Sequence, residues 1–592
     1  MKSAWPILII ICALAVYHMF DVGHWSNESS IRSDGYGYYG YIEGALVHGD
    51  PLNEKRFDKD GRLLYRSWMQ EGLPGKHLPK WTMGVAYAWV PGFIIADAYA
   101  RAFDHEQHGW STPYQLAVAF TAILFLLLGT WATWQVLIKR YSWWIATITV
   151  FLVFYATNLL HYSTSDSGMS HVYNFGLIAL YLWLNDRWLS NYKTRDLLLM
   201  SVLLGWIVLI RPTNITIGLA TLIMLYAQTG SLRKLFSPQL ALAALVAFLP
   251  IVPQLVFWKF TTGHWVTYSY ENEAFYWFTG NFINGLFSYR NGWLLYTPIM
   301  IFALVGIALT RKVDKGLFWA SSVIMLLHIY ITFSWWCWYY GGSLSIRPMI
   351  DMYALCAFGL AGLFNYVFAR SRIVSALVIG LMSLLVWNNL LQTNYFKTGA
   401  ITDSTMTKKA FWAFFMNSKG PGDLALIGDG YRDADTDRLR QGLPERTKFD
   451  TTLISVVGKK YFDPDSKQGA LHRDNIYSGK IKVSADSLTT HGNQVIKVTF
   501  TTYCEDYKKA KLQGVIDFKK EGGKQQDYRA TEIIHTEPIS GKRNRSSFYL
   551  TKKREVEEGA SMIAYMWLQG KEKVILESIE VELIEVNYAE DQ

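Results

Sequence analysis

Residues 33 to 51, SDGYGYYGYIEGALVHGDP, set one carboxylate, Asp34, among Tyr36, Tyr38, Tyr39 and Tyr41, with Glu43 further along. In the low dielectric beside a bilayer a carboxylate becomes a stronger base, suited to taking a proton from a hydroxyl. Tyrosines in such a run stack on sugar rings or sit at the headgroup level. The same residues also describe a capped interfacial helix with an aromatic belt, and both readings stand at this point.

The other polar residues of the apolar part come in short clusters. They are Lys76-His77-Leu78-Pro79-Lys80, Asp166 and His171 in HYSTSDSGMSHVYNF, Arg211 in IRPTN, Glu271 and Glu273 in SYENEAFYWF, and Arg347 with Asp351 in WYYGGSLSIRPMIDMY. Cations converging at one depth would hold an anionic headgroup such as a lipid phosphate. Two plainer readings compete with that one. Arg347 and Asp351 are spaced for a salt bridge within one helix, and Arg211 is placed to snorkel to the interface. The Gly341-Gly342 turn would let backbone approach a ligand, or simply join two helices tightly. The chain has 4 cysteines, too few for a disulfide framework, and no CxxC or HExxH spacing.

These clusters must be positioned by apolar elements. Runs long enough for a hydrocarbon core of about 30 Å lie near 5–20, 114–138, 142–160, 172–186, 196–210, 213–228, 238–258, 293–310, 316–334, 348–369 and 373–391. The first has a long apolar region and no small-residue cleavage site before Asp21, so it reads as a retained anchor rather than a signal peptide. A further apolar segment, 83–100, carries Gly84, Pro91 and Gly92. If it spans, the basic clusters at Lys139-Arg140, Arg187/Lys193/Arg195, Arg233-Lys234, Arg311/Lys312/Lys315 and Arg370/Arg372 all face outward. If it lies in the interface as a juxtamembrane helix, all of them face the cytoplasm, as the positive-inside rule requires. Eleven spans follow, with the N-terminus inside and everything after Phe396 outside. The polar clusters then share the outer face, with 21–113 as the first outer loop.

Composition supports two parts of opposite character. Over 592 residues, 51% hydrophobic, 16% aromatic and 18% charged is too apolar for a soluble enzyme, and a mean hydropathy of +0.11 is too low for a chain that is membrane throughout. Residues 1 to 400 hold 27 Lys and Arg against 19 Asp and Glu, while residues 401 to 592 hold 30 against 29. The basic surplus therefore lies in the apolar part, which argues for membrane orientation and against nucleic-acid binding.

After residue 450 the pattern changes to short β-branched and aromatic runs between turn residues, at 481–486, 494–502, 511–518, 528–535, 546–552, 561–568 and 573–586. The spacing predicts an all-β sandwich of jelly-roll type over 451–592, joined by a linker at 398–450 to a membrane domain at 1–397. The alternation in VILESIEVELIEV resembles the last strand of many carbohydrate-binding sandwiches, but such sandwiches are often plain structural modules.

Taken in order, the D-x-x-x-Y-Y-type loop after the first span, the Lys/His/Pro stretch before an interfacial helix, the acid of the second outer loop and the WW…GG…RPMID segment resemble the GT-C membrane glycosyltransferases. Within that group the chain is similar to bacterial dolichyl-phosphate-mannose-protein mannosyltransferase-like proteins, also through SHVYNFGLIALYLWL, RPTNITIGL and LFSYRNGWLLYTPIMIF. The resemblance covers roughly residues 1 to 395. It implies a multi-pass inner-membrane enzyme with a periplasmic C-terminal domain. Such an enzyme transfers a sugar, usually with inversion, from a polyprenyl-phosphate-linked donor to a glycan, lipid or protein hydroxyl on the outer face. Asp34 matches the catalytic carboxylate and Asp166 the second acidic position. The resemblance makes Arg347, Arg211, Lys76 and His77 candidates for the donor phosphate. Tyr38, Tyr39, His171, Glu271 and Glu273 are left as substrate-binding candidates.

The chain departs from the family pattern in having Asp34-Gly35 where a pair of adjacent acids is familiar. With one acid, and a phosphate that leaves without protonation, no metal cofactor is expected, although Glu271 and Glu273 keep a divalent metal open. A ligase or polymerase of lipid-linked glycans shares these substrates and stays open. A transporter would place ionisable or helix-breaking residues near the midplane in two related halves, and no such repeat is visible. A simple anchor for the sandwich domain would not need eleven spans.

Overall fold

A computed structural model describes residues 3–27, 29–49, 69–73, 76–270, 273–397, 401, 406, 408–418, 449–484, 494–519, 525–532, 540–550, 561–570 and 572–588. The chain forms two compact units, Met1–Ile401 and Thr402–Gln592.

The first unit is helical, and every apolar run of the sequence lies on helix. Among the described residues six helices are individually long and apolar enough to cross a bilayer: Trp5–Val22, Thr112–Ile138, Pro238–Thr262, Lys315–Ser334, Arg347–Phe368 and Arg372–Lys397. The remaining predicted spans are shorter helices or are interrupted. The run at 213–228 opens as a 3-10 turn over Pro212–Gly218 before Leu219–Thr229, and 142–160 ends as a helix at Tyr155. The structure thus supports a helical unit of several spans but not the count of eleven. The segment 83–100 forms one helix, Gly84–Ala102, around Pro91; it buries Trp89, Phe93 and Ala96 and exposes Ile94 and Ile95.

The helix Thr112–Ile138 shows how the local sequence sets these elements. Ser111 is extended, Pro113 fits the first turn where no amide hydrogen is needed, and no charged residue follows until Lys139. Its 27 residues span about 40 Å. Near its start, Gln115 accepts from the Ile31 amide at 3.0 Å, tying it to the first polar loop. Just beyond its other end, Lys139 and Arg140 both pair with Asp186, and Arg140 also donates to Asp314 at 2.9 Å. Two polar layers therefore lie at opposite ends of the bundle. Between them, small residues allow tight crossings: a Cβ on Gly306 would lie 1.9 Å from the Gly359 carbonyl oxygen. Apolar side chains such as Leu245 and Ile373, 70% and 74% exposed, cover the outside of the bundle, as expected of a surface solvated by lipid.

The second unit consists of two antiparallel sheets. One runs in the order Ile481–Ser484, Ser561–Leu568, Leu512–Lys519, Gln525–Glu532; the other runs Phe449–Tyr461, Val574–Tyr588, Gln494–Cys504, Lys542–Leu550. Ile516 and Met562 of the first share a core with Val498, Phe500 and Val581 of the second, so the unit is a β-sandwich. The strand Phe449–Tyr461 begins where the sequence had placed the end of a linker. A helix, Lys408–Phe414, occupies part of that linker.

Candidate active site

Asp34 opens the helix Asp34–Ile42, an end where the helix dipole favours a carboxylate. Ser33 just before it has φ 49° and ψ −124°, a strained conformation for a residue with a Cβ. Arg347, at the start of the 3-10 turn Arg347–Met352, donates from Nη2 to Asp34 Oδ2 at 3.1 Å. The second guanidinium contact is weak, Nη1 to the Met169 sulfur at 3.3 Å, and Nε is buried without a partner. The loop that delivers Arg347 is pinned from several sides. The Asn291 amide lies 2.8 Å from the Tyr339 carbonyl and 3.1 Å from that of Ser345. Asn158 donates to the Leu344 carbonyl at 3.0 Å, and Leu344 donates to the Tyr162 hydroxyl at 3.1 Å.

Asp166 lies beside this pair, and both carboxylates are within electrostatic reach of Arg347. Its own partner is Arg32, whose Nε donates to Oδ1 at 3.1 Å while Nη2 reaches the Ser165 carbonyl at 3.3 Å. The two acid-bearing loops touch through glycines. A Cβ on Gly35 would lie 3.3 Å from the Gly168 carbonyl oxygen, and one on Gly168 would lie 3.0 Å from that of Ser30. A side chain after Asp34 would therefore press on the loop that carries Asp166, a steric reason for glycine where a second acid is familiar.

Arg211 sits in an extended conformation between the helix Thr194–Ile210 and the turn that follows. Its Nε donates to Ser170 Oγ at 3.1 Å and its Nη2 to His171 Nε2 at 3.3 Å. His171 in turn contacts Asp351 Oδ1 through Nδ1 at 2.9 Å, both side chains being fully buried. A carboxylate on one side and a guanidinium on the other assign the proton to Nδ1 and leave Nε2 as the acceptor. Asp351 Oδ2 accepts from Asn214 at 2.6 Å and Asn174 at 3.3 Å. The spacing of Arg347 and Asp351 had suggested a salt bridge between them, and it does not form. A 3-10 turn does not stack residues four apart, and each finds a partner from a distant segment.

Tyr38 is 1% exposed and packs against Trp81 and Trp89, with Ser170 bonded to its hydroxyl and Asp34 and Arg211 nearby. Tyr270, missed in the sequence, lies within reach of the same Asp34 and Arg211; burial pushes its phenol up to about 12, keeping it a neutral donor.

Other candidates are placed elsewhere. Tyr39 is buried against Trp110 and Phe93 and donates to the Gly109 carbonyl, so it holds the fold together rather than a substrate. Lys76 donates to the Phe260 carbonyl at 2.8 Å, satisfying the last turn of the helix Val252–Thr262. Glu273 pairs with Lys80 at 2.6 Å, and Lys80 lies 5.1 Å from the Tyr270 ring centroid, making it the lysine on the site's side of this segment. His77 lies in a short hairpin with Met69–Glu71, its side chain outside the described residues, as is Glu271. Among the described residues no group of three His, Cys, Asp or Glu side chains is arranged to hold a metal.

A cavity of about 240 Å³ opens beside Asp166, lined by His24, Arg32, His161, Gly342 and Phe396 among others. Sequence reasoning passed over all of these except the glycine. Arg32 was the most accessible signal, a cation two positions before Asp34 in the same loop.

No family model matches the chain, and no curated protein matches it. Among solved structures it is similar to the oligosaccharyltransferase AglB from Archaeoglobus fulgidus, determined with an inhibitory peptide and a dolichol-phosphate. The identity is 14% and the TM-score 0.42, over 75% of this chain and 60% of that one. It is also similar to the arabinosyltransferase EmbB from Mycobacterium smegmatis, at 9% identity and TM-score 0.37, over 97% of this chain and 64% of that one. The chain thus spans less than two thirds of the length of either.

Proposed function

We propose that the protein is a multi-pass inner-membrane glycosyltransferase of the GT-C type. It moves a sugar from a polyprenyl-phosphate-linked donor to a hydroxyl of a glycan, lipid or protein on the extracytoplasmic face. The single observation that carries this reading is the meeting of Asp34 with Arg347, 3.1 Å apart, with Asp34 and Arg211 both in electrostatic reach of Tyr38. A base and two phosphate-binding cations at one polar layer of a membrane bundle are what such a transfer needs.

In this reading Asp34 takes the proton of the acceptor hydroxyl as its oxygen bonds to the anomeric carbon. The bond from that carbon to the phosphate oxygen breaks, and polyprenyl phosphate leaves with the electron pair. Attack opposite the leaving group inverts the anomeric configuration. Arg347 keeps donors unspent on Asp34, notably its buried Nε, and with Arg211 it meets the charge on the phosphate. We expect no divalent metal to be needed, since Asp34 and Asp166 each already have a guanidinium partner that a cation would have to displace. A ligase of lipid-linked glycans would use the same groups and differs only in the acceptor. We further propose the topology of eleven spans with the N-terminus inside, which would put this layer outside, and we read the strand order of the C-terminal sandwich as a jelly roll.

The test is turnover of a purified lipid-phosphate sugar by Asp34→Asn. Loss of transfer by about 10²-fold or more, in protein that still folds, is the expected result. Turnover at the wild-type rate would refute the assignment.

A further inference from the structure

The cavity beside Asp166 is unlike the phosphate-binding side of the site. Arg32 is paired with Asp166 at 3.1 Å and Lys397 with Asp21 at 2.8 Å. His24 Nε2 accepts from Arg32 at 3.0 Å. Burial, followed by the Arg32 charge, holds His24 down at about 4, and burial likewise holds His161 at about 4. Among the described residues the lining is therefore polar, and each of its two cations is already paired with a carboxylate. His161 is 1% exposed, and among the described residues neither of its ring nitrogens has a partner. Leaving two such atoms unsatisfied is costly unless a ligand serves them. A neutral imidazole offers one donor and one acceptor, the pair that a sugar hydroxyl also offers. Phe396, 4.9 Å from the His161 ring, supplies an apolar surface for the C–H face of a ring. A volume of 240 Å³ is room for about eight waters, which suits one sugar ring rather than a chain.

We propose that this cavity is a subsite for a single neutral sugar unit, gripped through its hydroxyls by His161 and the Arg32–Asp166 pair. It rests on the transferase reading only for its role. The unit is either the sugar being transferred or the terminal sugar of the acceptor, and both present the same hydroxyl chemistry. Phosphate binds apart from it, at Arg347 and Arg211.

The experiment uses the full chain in detergent, with methyl glycosides of neutral hexoses and pentoses as probes and saturation-transfer NMR as the readout. At least one glycoside should bind, and inorganic phosphate should not displace it. His161→Phe keeps the ring and removes both nitrogens, so it should weaken binding about tenfold or more, by the loss of one or two hydrogen bonds, while leaving thermal stability equal or higher. Should His161→Phe fail to fold, Gly342→Val, which narrows the same cavity, replaces it with the same expectation. In turnover assays, competition with the acceptor marks an acceptor subsite and competition with the donor marks a donor-sugar subsite. Either supports the proposal. Absence of any glycoside binding, displacement by phosphate, or undiminished binding in the variant overturns it. Binding is read without turnover, so this proposal and the transferase reading fail separately.

Discussion

Arg347 Nη2 donates to Asp34 Oδ2 at 3.1 Å across 313 positions of sequence, while Asp351, four residues from Arg347, pairs with His171 instead. The partner of the arginine is thus the carboxylate we propose as the base. The link joins the first polar loop to the start of the helix Arg347–Phe368.

Arg347→Lys should test the divided use of this guanidinium. A lysine can reach Asp34 or a phosphate as a point charge but cannot fork between them. Loss of one charge-assisted hydrogen bond predicts about a ten- to hundredfold fall in kcat/KM, chiefly through KM for the lipid donor. An unchanged donor KM would remove Arg347 from the phosphate site.

Asp351→Asn should separate positioning from contact. The new amide would face two donating asparagines and the His171 N–H. It should lose about 1–3 kcal/mol of stability and raise the donor KM, because His171 no longer holds Arg211. Arg211→Lys should raise the donor KM with little loss of thermal midpoint. Equal donor KM in Asp351→Asn and wild type would leave the buried chain a purely structural one.

Gly35→Asp restores two adjacent acids and tests why this chain has only one. Its Cβ would press on the Gly168 carbonyl at 3.3 Å, shifting the loop that carries Asp166. A loss of about 1–3 kcal/mol with reduced turnover is expected, measured by thermal unfolding and by transfer rate. Faster transfer at undiminished stability would show that the position is catalytic rather than packed.

Acid should destabilise the protein through its buried histidines. His24 and His161 are held at about 4 against an ordinary 6.5. They stay neutral when folded, whereas the unfolded chain takes up protons as soon as the pH drops below 6.5. Stability is therefore complete above about 6.5 and is lost as the pH falls toward 4, on the order of 3 kcal/mol from the fully buried His161. Thermal midpoints from about pH 7 to about pH 4 should fall more steeply in wild type than in His161→Phe. Identical slopes would contradict the burial argument.

Chelation provides a direct check on the charge-neutralising role given to the arginines. Transfer by purified protein should continue unchanged in excess EDTA. A rate that collapses and returns on adding magnesium or manganese would assign that role to a metal.

The sequence alone determined most of the elements and part of the cast of polar residues. Apolar runs are legible because a bilayer tolerates little else over a helix of that length, and alternation in VILESIEVELIEV marks a strand because its two faces meet different surroundings. Asp34, Asp166, His171, Arg211 and Arg347 stood out because they cluster in the short polar stretches between such runs. Tertiary structure decided who meets whom. It turned Lys76 to a helix end and Tyr39 into the core, made Asp351 the hub that holds His171, and brought His24, Arg32 and His161 around one cavity. Spacing along the chain predicts neighbours only within one regular helix or strand. The site is built instead where the ends of several helices converge, and those contacts are fixed by how the helices pack.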